Sequence, residues 1–156
     1  MAAVSYQIVT EEELPAAERA AIGRLLGDAF SADDPEQEAY LRAHGHWGDP
    51  PLRRVLARRE AVVGQLSVFR MGTGVMGLGD IAVVPEERGR GIATELVAKA
   101  LGVCGDEVVL TRTVALREVF AEHGFEPVEL PQLVPDPHWI GRGDLSRVGR
   151  LELIDV

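Results

Sequence analysis

The most constraining feature of the sequence is a strand, a glycine-rich loop and an amphipathic helix in immediate succession. Residues 77–84 are largely apolar, and Pro85 ends this predicted strand because proline cannot donate to a sheet ladder. Residues 91–103 then repeat apolar pairs every four positions, which predicts a helix with one buried face. A helix of this kind is expected to pack against the sheet that contains the strand.

Further strands and helices are predicted around this segment. Two strands over residues 52–59 and 62–71 are joined tightly near Glu60, and this hairpin excludes an all-parallel sheet. The element order β-α-α-β-β-β-α-β-α-β-β predicts an α/β (α+β) fold, with a mixed, mostly antiparallel central sheet flanked by helices. The remaining predicted elements are strands at 4–10, 108–110, 125–130 and 148–156, helices from Pro15, over 33–42 and over 114–123, and a turn at 72–77.

Length and composition indicate a single domain over residues 1–156. Apolar residues make up 46% and charged residues 26%, which are ordinary globular values. No apolar run approaches the roughly 18 residues of a membrane span, and the N-terminus has neither a basic nor an apolar leader region. We therefore expect a cytoplasmic protein with no membrane partner. The single cysteine, Cys104, excludes an internal disulfide and a cysteine-rich zinc site, and the four histidines show no metal-binding spacing.

The net charge of −9 argues against nucleic acid as a partner, because a chain that follows phosphates needs an excess of basic residues. Residues 1–50 carry most of this charge, with ten acidic residues against three arginines. A local acidic field would concentrate cations such as an amine substrate. An ordinary solvated acidic surface is the alternative interpretation.

The loop between the predicted strand and helix has the parts of an anion site. Gly89 and Gly91 let the backbone approach a ligand, and the helix that follows offers unpaired N–H groups at its N-terminus. Arg88 and Arg90 add positive charge, so the loop suits a phosphate or pyrophosphate. Two other phosphate-binding motifs are excluded. The chain has no Gly-Lys-Ser/Thr, which a P-loop requires, and Thr94 stands where a dinucleotide-binding fingerprint has its third glycine or alanine.

The run Arg88-Gly-Arg-Gly91-Ile-Ala93 resembles the signature of the GCN5-related N-acetyltransferase superfamily, Arg/Gln-x-x-Gly-x-Gly/Ala after a strand that ends near proline. Gly64 and the pair Gly124-Phe125 also fit the superfamily pattern. The resemblance implies acetyl-CoA as co-substrate, with its acetyl and pantetheine portion at a splay between the fourth and fifth strands. The cofactor-binding residues that it implies are Ile81, Val83, Arg88, Gly89, Arg90, Gly91, Ala93 and Thr94.

The resemblance also implies which groups catalysis would require. In this superfamily an amine attacks the thioester carbonyl directly, so an ammonium must lose a proton to a base or to water. Asp80 is the best-placed carboxylate, either as that base or as a structural hydrogen-bond acceptor, and Gly79 stands where relatives often carry Glu. Phe120 replaces the tyrosine that commonly protonates the coenzyme A thiolate. Either water or another group protonates the thiolate, or the thiolate leaves unassisted. The remaining alternative is that catalysis is weak or absent.

Aromatic and histidine side chains fall in the two regions that would cover the acceptor. The candidate substrate-binding residues are Tyr40, His46, Trp47, His138 and Trp139. Each of them taken alone fits a packing or surface role equally well. We expect an acetyl-CoA-dependent N-acetyltransferase that acts on a small, cationic amine, and a homodimer is a further expectation. The alternative is a non-catalytic acyl-CoA-binding sensor or regulatory module.

Overall fold

One mixed sheet organises the residues that the computed structural model describes, which are 3–31, 51–72, 74–112, 116–128 and 140–144. The strands are β1 (Ser5–Val9), β2 (Arg53–Arg58), β3 (Val62–Gly72), β4 (Val75–Val83), β5 (Val108–Thr111), β6 (Glu126–Pro127) and β7 (Ile140–Arg142). The helices are α1 (Ala16–Ser31), α2 (Ile92–Cys104) and α3 (Arg117–Glu122), and short 3-10 turns span Glu11–Glu13 and Pro85–Glu87.

The strand order across this sheet is β1-β2-β3-β4-β5-β7-β6. Strands β1 to β4 pair antiparallel in sequence order, whereas β4 and β5 pair parallel. The parallel pair follows from the connection through α2, because parallel strands need a crossover between them. The predicted mixed, mostly antiparallel sheet flanked by helices is confirmed.

Helix α2 covers one face of the sheet with a buried apolar stripe. Its buried residues pack in one cluster with alternate side chains of β2, β3 and β4, and with Phe120 and Phe125 from the α3 region. Gly64 on β3 permits the close approach of this helix, since an added Cβ would lie 3.3 Å from the Cγ2 atom of Ile92. Helix α1 belongs to a second cluster, in which Ile22 and Leu56 are buried together.

Several element boundaries differ from those predicted. Strand β3 extends to Gly72 and strand β4 begins at Val75, and these two residues pair, so the predicted six-residue turn at 72–77 is wrong. Strand β6 covers only Glu126–Pro127 within the described part of the predicted strand at 125–130. Strand β7, which pairs with both β5 and β6, was not predicted. The predicted helix at 33–42 and strand at 148–156 lie outside the described residues.

None of the helices in the described part of the chain has both the length and the hydropathy that a membrane span requires.

Candidate active site

Strand β4 contains a β-bulge at the position of the predicted base. Gln65 pairs with Ala82 and Ser67 pairs with Gly79, so one residue of β3 lies opposite two residues of β4, Asp80 and Ile81. Asp80 has φ 50° and is the only described residue other than glycine in the left-handed region. Bulges bend a strand and end regular pairing, and they occur often beside active sites.

The bulge follows directly on the point where β4 and β5 separate. The parallel pairing runs from Val75 to Leu78 on β4 and stops at Thr111, the last residue of β5. The Thr111 Oγ1 hydroxyl donates to the backbone oxygen of Leu78 at 2.9 Å, which closes the paired part. Strand β4 continues to Val83, and within the described residues its edge from residue 79 onward has no β5 partner. The splay that the sequence resemblance implied at this edge stays a prediction.

The loop from β4 into α2 presents backbone N–H groups at a helix N-terminus. Gly91 is the N-cap of α2 with φ 81°, and Gly89 has φ 77°, conformations that favour glycine. The first α-helical hydrogen bond runs from the Glu95 N–H to the Gly91 oxygen at 3.1 Å. The N–H groups of Ile92, Ala93 and Thr94 therefore belong to the first turn, where a helix has no internal acceptors. This geometry suits an anion.

Charged side chains hold this loop in place through hydrogen bonds and ion pairs. The Arg88 Nε atom donates to the Val83 backbone oxygen at 3.1 Å, which ties the loop to the end of β4. Glu87 is buried and accepts a hydrogen bond from the Arg59 Nε atom at 2.8 Å. The Arg90 Nη1 atom lies 3.7 Å from the other Glu87 oxygen, with the Arg90 side chain half exposed. Sequence reasoning missed Glu87, although its spacing of three residues from Arg90 was a signal.

A buried polar cluster lies behind the bulge. Arg54 on β2 pairs with Glu11, and its Nη1 atom donates to the Gln65 Oε1 atom at 2.9 Å. The Gln65 Nε2 atom donates to the backbone oxygen of Asp80 and, at 3.2 Å, to the Ser67 hydroxyl. Gln65 and Ser67 are fully buried. Sequence reasoning missed this cluster, whose signal was a pair of polar residues alternating with apolar ones along β3.

Comparison with known proteins is consistent with this geometry. The profile of the Acetyltransferase (GNAT) family matches residues 19–125, which is more than half of the chain. The chain belongs to the GNAT acetyltransferase family. No curated protein matches the sequence.

Several solved structures share the fold. An acyl-CoA N-acyltransferase from Pseudomonas aeruginosa has 20% identity and a TM-score of 0.71, over 90% of this chain and 100% of that one. ElaA from Escherichia coli has 20% identity and a TM-score of 0.67, over 89% of this chain and 97% of that one. YhbS, a GNAT family N-acetyltransferase from Escherichia coli in complex with CoA, has 19% identity and a TM-score of 0.64, over 97% of this chain and 87% of that one.

Phe120, which the sequence resemblance placed at a tyrosine position of the superfamily, is part of the core. Phe120 is fully buried, and its ring centroid lies 4.9 Å from that of Phe125 at an interplanar angle of 58°. The side chain has no hydroxyl and packs as an apolar residue. It therefore offers no proton to a leaving thiolate.

Cys104 is not suited to nucleophilic catalysis. It is the last residue of α2 and is buried, and this burial raises the pKa of the thiol to about 11. A thiol with this pKa is protonated at neutral pH, whereas the nucleophilic form is the thiolate. Burial therefore keeps the Cys104 thiol in its unreactive form.

The predicted site residues fall into two groups. Asp80, Ile81 and Val83 lie along the part of β4 that is beside β3 but does not pair with β5. The loop residues follow at the start of α2, and they are Arg88, Gly89, Arg90, Gly91, Ala93 and Thr94. Both groups adjoin the end of β4. The candidate acceptor residues Tyr40, His46, Trp47, His138 and Trp139 lie outside the described residues.

Proposed function

We propose that this GNAT protein is an N-acetyltransferase that transfers the acetyl group of acetyl-CoA to a small amine by direct attack. The observation that carries the proposal is that one strand, β4, contains the bulge and also leads into the N–H groups that begin α2. The bulge lies just beyond the last residue of β4 that pairs with β5. A cytoplasmic location is part of the proposal, because acetyl-CoA is used inside the cell.

The loop fits the pyrophosphate of coenzyme A. Ideal Cβ atoms built on Gly89 and Gly91 have no described atom within 4 Å, so the space over both glycines is open. The N–H groups of residues 92–94 supply donors and a partial positive charge, and the exposed Arg90 adds a full one. Arg88 contributes by holding the loop to Val83 as well as by its charge. The open space over the glycines and the backbone donors support binding of a phosphate group at this loop.

The bulge supplies the groups that the chemistry needs. Acetyl-CoA provides the acetyl group as a thioester, which the nitrogen lone pair attacks as the C–N bond forms and the C–S bond breaks. The Ile81 backbone N–H is the donor proposed for the thioester oxygen, and donors of this type stabilise the charge that develops there. The Asp80 carboxylate is the proposed base for the ammonium proton. The thiolate leaves without help from Phe120, because a thiol pKa near 8.5 makes it a tolerable leaving group. The second proton that the nitrogen loses as the amide forms passes to solvent.

The acceptor is proposed to be cationic, with support from the excess of acidic residues in the first third of the chain. Part of that charge is balanced within the described residues, since Glu11 pairs with Arg54 and Glu18 with Arg58. Kinetics with a diamine and with a neutral amine of equal length test whether the acceptor site prefers a cation. If the acidic field acts, kcat/KM for the diamine exceeds that of the neutral amine and falls with added salt. Equal values that do not respond to salt would reject the cationic preference.

A second candidate function is a non-catalytic acyl-CoA sensor, which the buried, hydroxyl-free Phe120 and the Gly79 position favour. A thiol-release assay over a panel of amines distinguishes the two functions. Turnover with any amine supports the transferase. Tight acetyl-CoA binding without turnover on the whole panel supports the sensor instead.

A further inference from the structure

Gln65 occupies an unusual place, since a fully buried amide side chain from β3 holds the backbone of the β4 bulge. Its Nε2 atom donates to the Asp80 oxygen, and its Oε1 atom accepts from Arg54 at 2.9 Å. Buried polar groups of this kind persist when their hydrogen bonds are satisfied. Both ends of this amide are satisfied by different elements of the fold.

Arg54 on the neighbouring strand β2 fixes the orientation of the Gln65 amide. A guanidinium has donors only, so Arg54 must face the Oε1 atom and cannot face the amide nitrogen. Glu11 in turn holds Arg54 through its Nε atom. The Nε2 atom is consequently directed to the Asp80 oxygen, and a flip of the amide would set donor against donor.

The hydrogen bond to Asp80 determines the direction of the next N–H group. The peptide bond between Asp80 and Ile81 is a planar unit, in which the C=O of one residue and the N–H of the next point in opposite directions when it is trans. Because Gln65 holds the Asp80 oxygen on its own side, the Ile81 N–H points away from the Gln65 side chain. A φ of 50° carries a steric cost for a residue other than glycine, and the hydrogen bond from Gln65 helps to hold this peptide in place.

We infer that Gln65 is a positioning residue that aims the Ile81 N–H at the thioester oxygen, an inference that rests on the proposed function. The cluster Glu11, Arg54 and Gln65 does not serve as a proton path. Neither an amide nor a guanidinium gives up its proton near neutral pH, and the last acceptor is a backbone oxygen. Its contribution is therefore the orientation of one peptide group.

The test uses Gln65→Glu, which keeps the side-chain length and an oxygen for Arg54 but removes the donor to Asp80. The first readout is the amide resonance of Ile81 in the ligand-free protein. The second is the carbonyl resonance of bound acetyl-CoA labelled with ¹³C at the acetyl carbonyl, which moves downfield when a donor polarises it. Arg58→Met is the matched control, because it breaks an arginine contact of β2 to Gln7 and Glu18 that does not involve Gln65.

The inference predicts that Gln65→Glu shifts the Ile81 resonance, returns the bound carbonyl toward its free position and lowers kcat about 10²-fold, with coenzyme affinity unchanged. Arg58→Met leaves both resonances in place. Gln65→Asn, which is too short to reach Asp80, is predicted to repeat the effect and serves if the buried carboxylate prevents folding. An unmoved Ile81 resonance in the folded variants rejects the role of Gln65. A wild-type protein that does not bind labelled acetyl-CoA rejects the proposed function, and the inference with it, even where Ile81 responds.

Discussion

At the scale of single residues, the account depends most on Asp80, whose backbone forms the bulge and whose carboxylate is the proposed base. Asp80→Asn removes the charge, while asparagine still tolerates φ 50° better than most residues, so the bulge is kept. We expect kcat to fall by about 10²- to 10⁴-fold near neutral pH. Steady-state kinetics against pH measure this loss, with melting temperature as the check on folding. Full activity in a folded variant would leave Asp80 with a structural role alone.

Cys104 makes a prediction about stability at alkaline pH. Burial raises the pKa of its thiol to about 11 in the folded protein, above the unfolded value near 8.5. The stabilisation is therefore complete below about pH 8.5 and is lost as pH rises through 11, by about 3 kcal/mol in total. Urea unfolding between pH 8 and 11 measures this slope. Cys104→Ala is the reference, since a variant without the thiol lacks this contribution, and equal slopes would contradict the assignment.

At the scale of elements, the loop before α2 has to combine helix initiation with anion binding. Gly91→Ala places a Cβ on a residue with φ 81°, which costs about 1–2 kcal/mol and disturbs the N–H groups of the first turn. We expect weaker acetyl-CoA binding together with a lower melting temperature. Gly102→Ala is the matched control within the same helix, where alanine is favoured over glycine by up to about 1 kcal/mol. Equal coenzyme affinity in the two variants would contradict the role of the loop.

The sequence was sufficient for the elements whose pattern is local. The apolar pairs that repeat every four residues predicted the bounds of α2 to within one residue, and Pro85 indicated the end of β4. Strand β7 was missed because Ile140–Arg142 is too short for a periodic signal and forms only by pairing with β5 and β6. The bulge was missed for a related reason. It arises from a mismatch of register between β3 and β4, and no pattern within β4 alone encodes that mismatch.

The candidate site divides in the same way. Asp80 and the loop from Arg88 to Thr94 lie in one short segment of the sequence, so motif reasoning placed them together. Gln65 and Glu87 act through partners 11 and 28 residues away along the chain, Arg54 and Arg59, and spacing rules do not reach that far. Such contacts depend on the assembled sheet.

At the scale of the whole molecule, arginines of β2 join the N-terminal segment to the sheet. Arg54 is 13% exposed and holds both Glu11 and Gln65, so Arg54→Met leaves buried polar groups without their partner. We expect a loss of about 1–3 kcal/mol in the free energy of unfolding. The control is Arg70→Met, which breaks the more exposed pair with Glu107 and is expected to cost at most about 1 kcal/mol. Urea denaturation compares the two variants, and equal losses would contradict the structural role of the Arg54 cluster.

The homodimer and the single domain over residues 1–156, both expected from the sequence, stay predictions.

The central claim is that the end of β4 and the start of α2 together bind the coenzyme thioester. Titration calorimetry of the wild-type protein with acetyl-CoA tests it directly. The account predicts a saturable heat with one coenzyme per chain, which disappears when Gly91→Val blocks the first turn of α2. Absence of heat in the wild type, or an undiminished heat in a folded Gly91→Val variant, would contradict it.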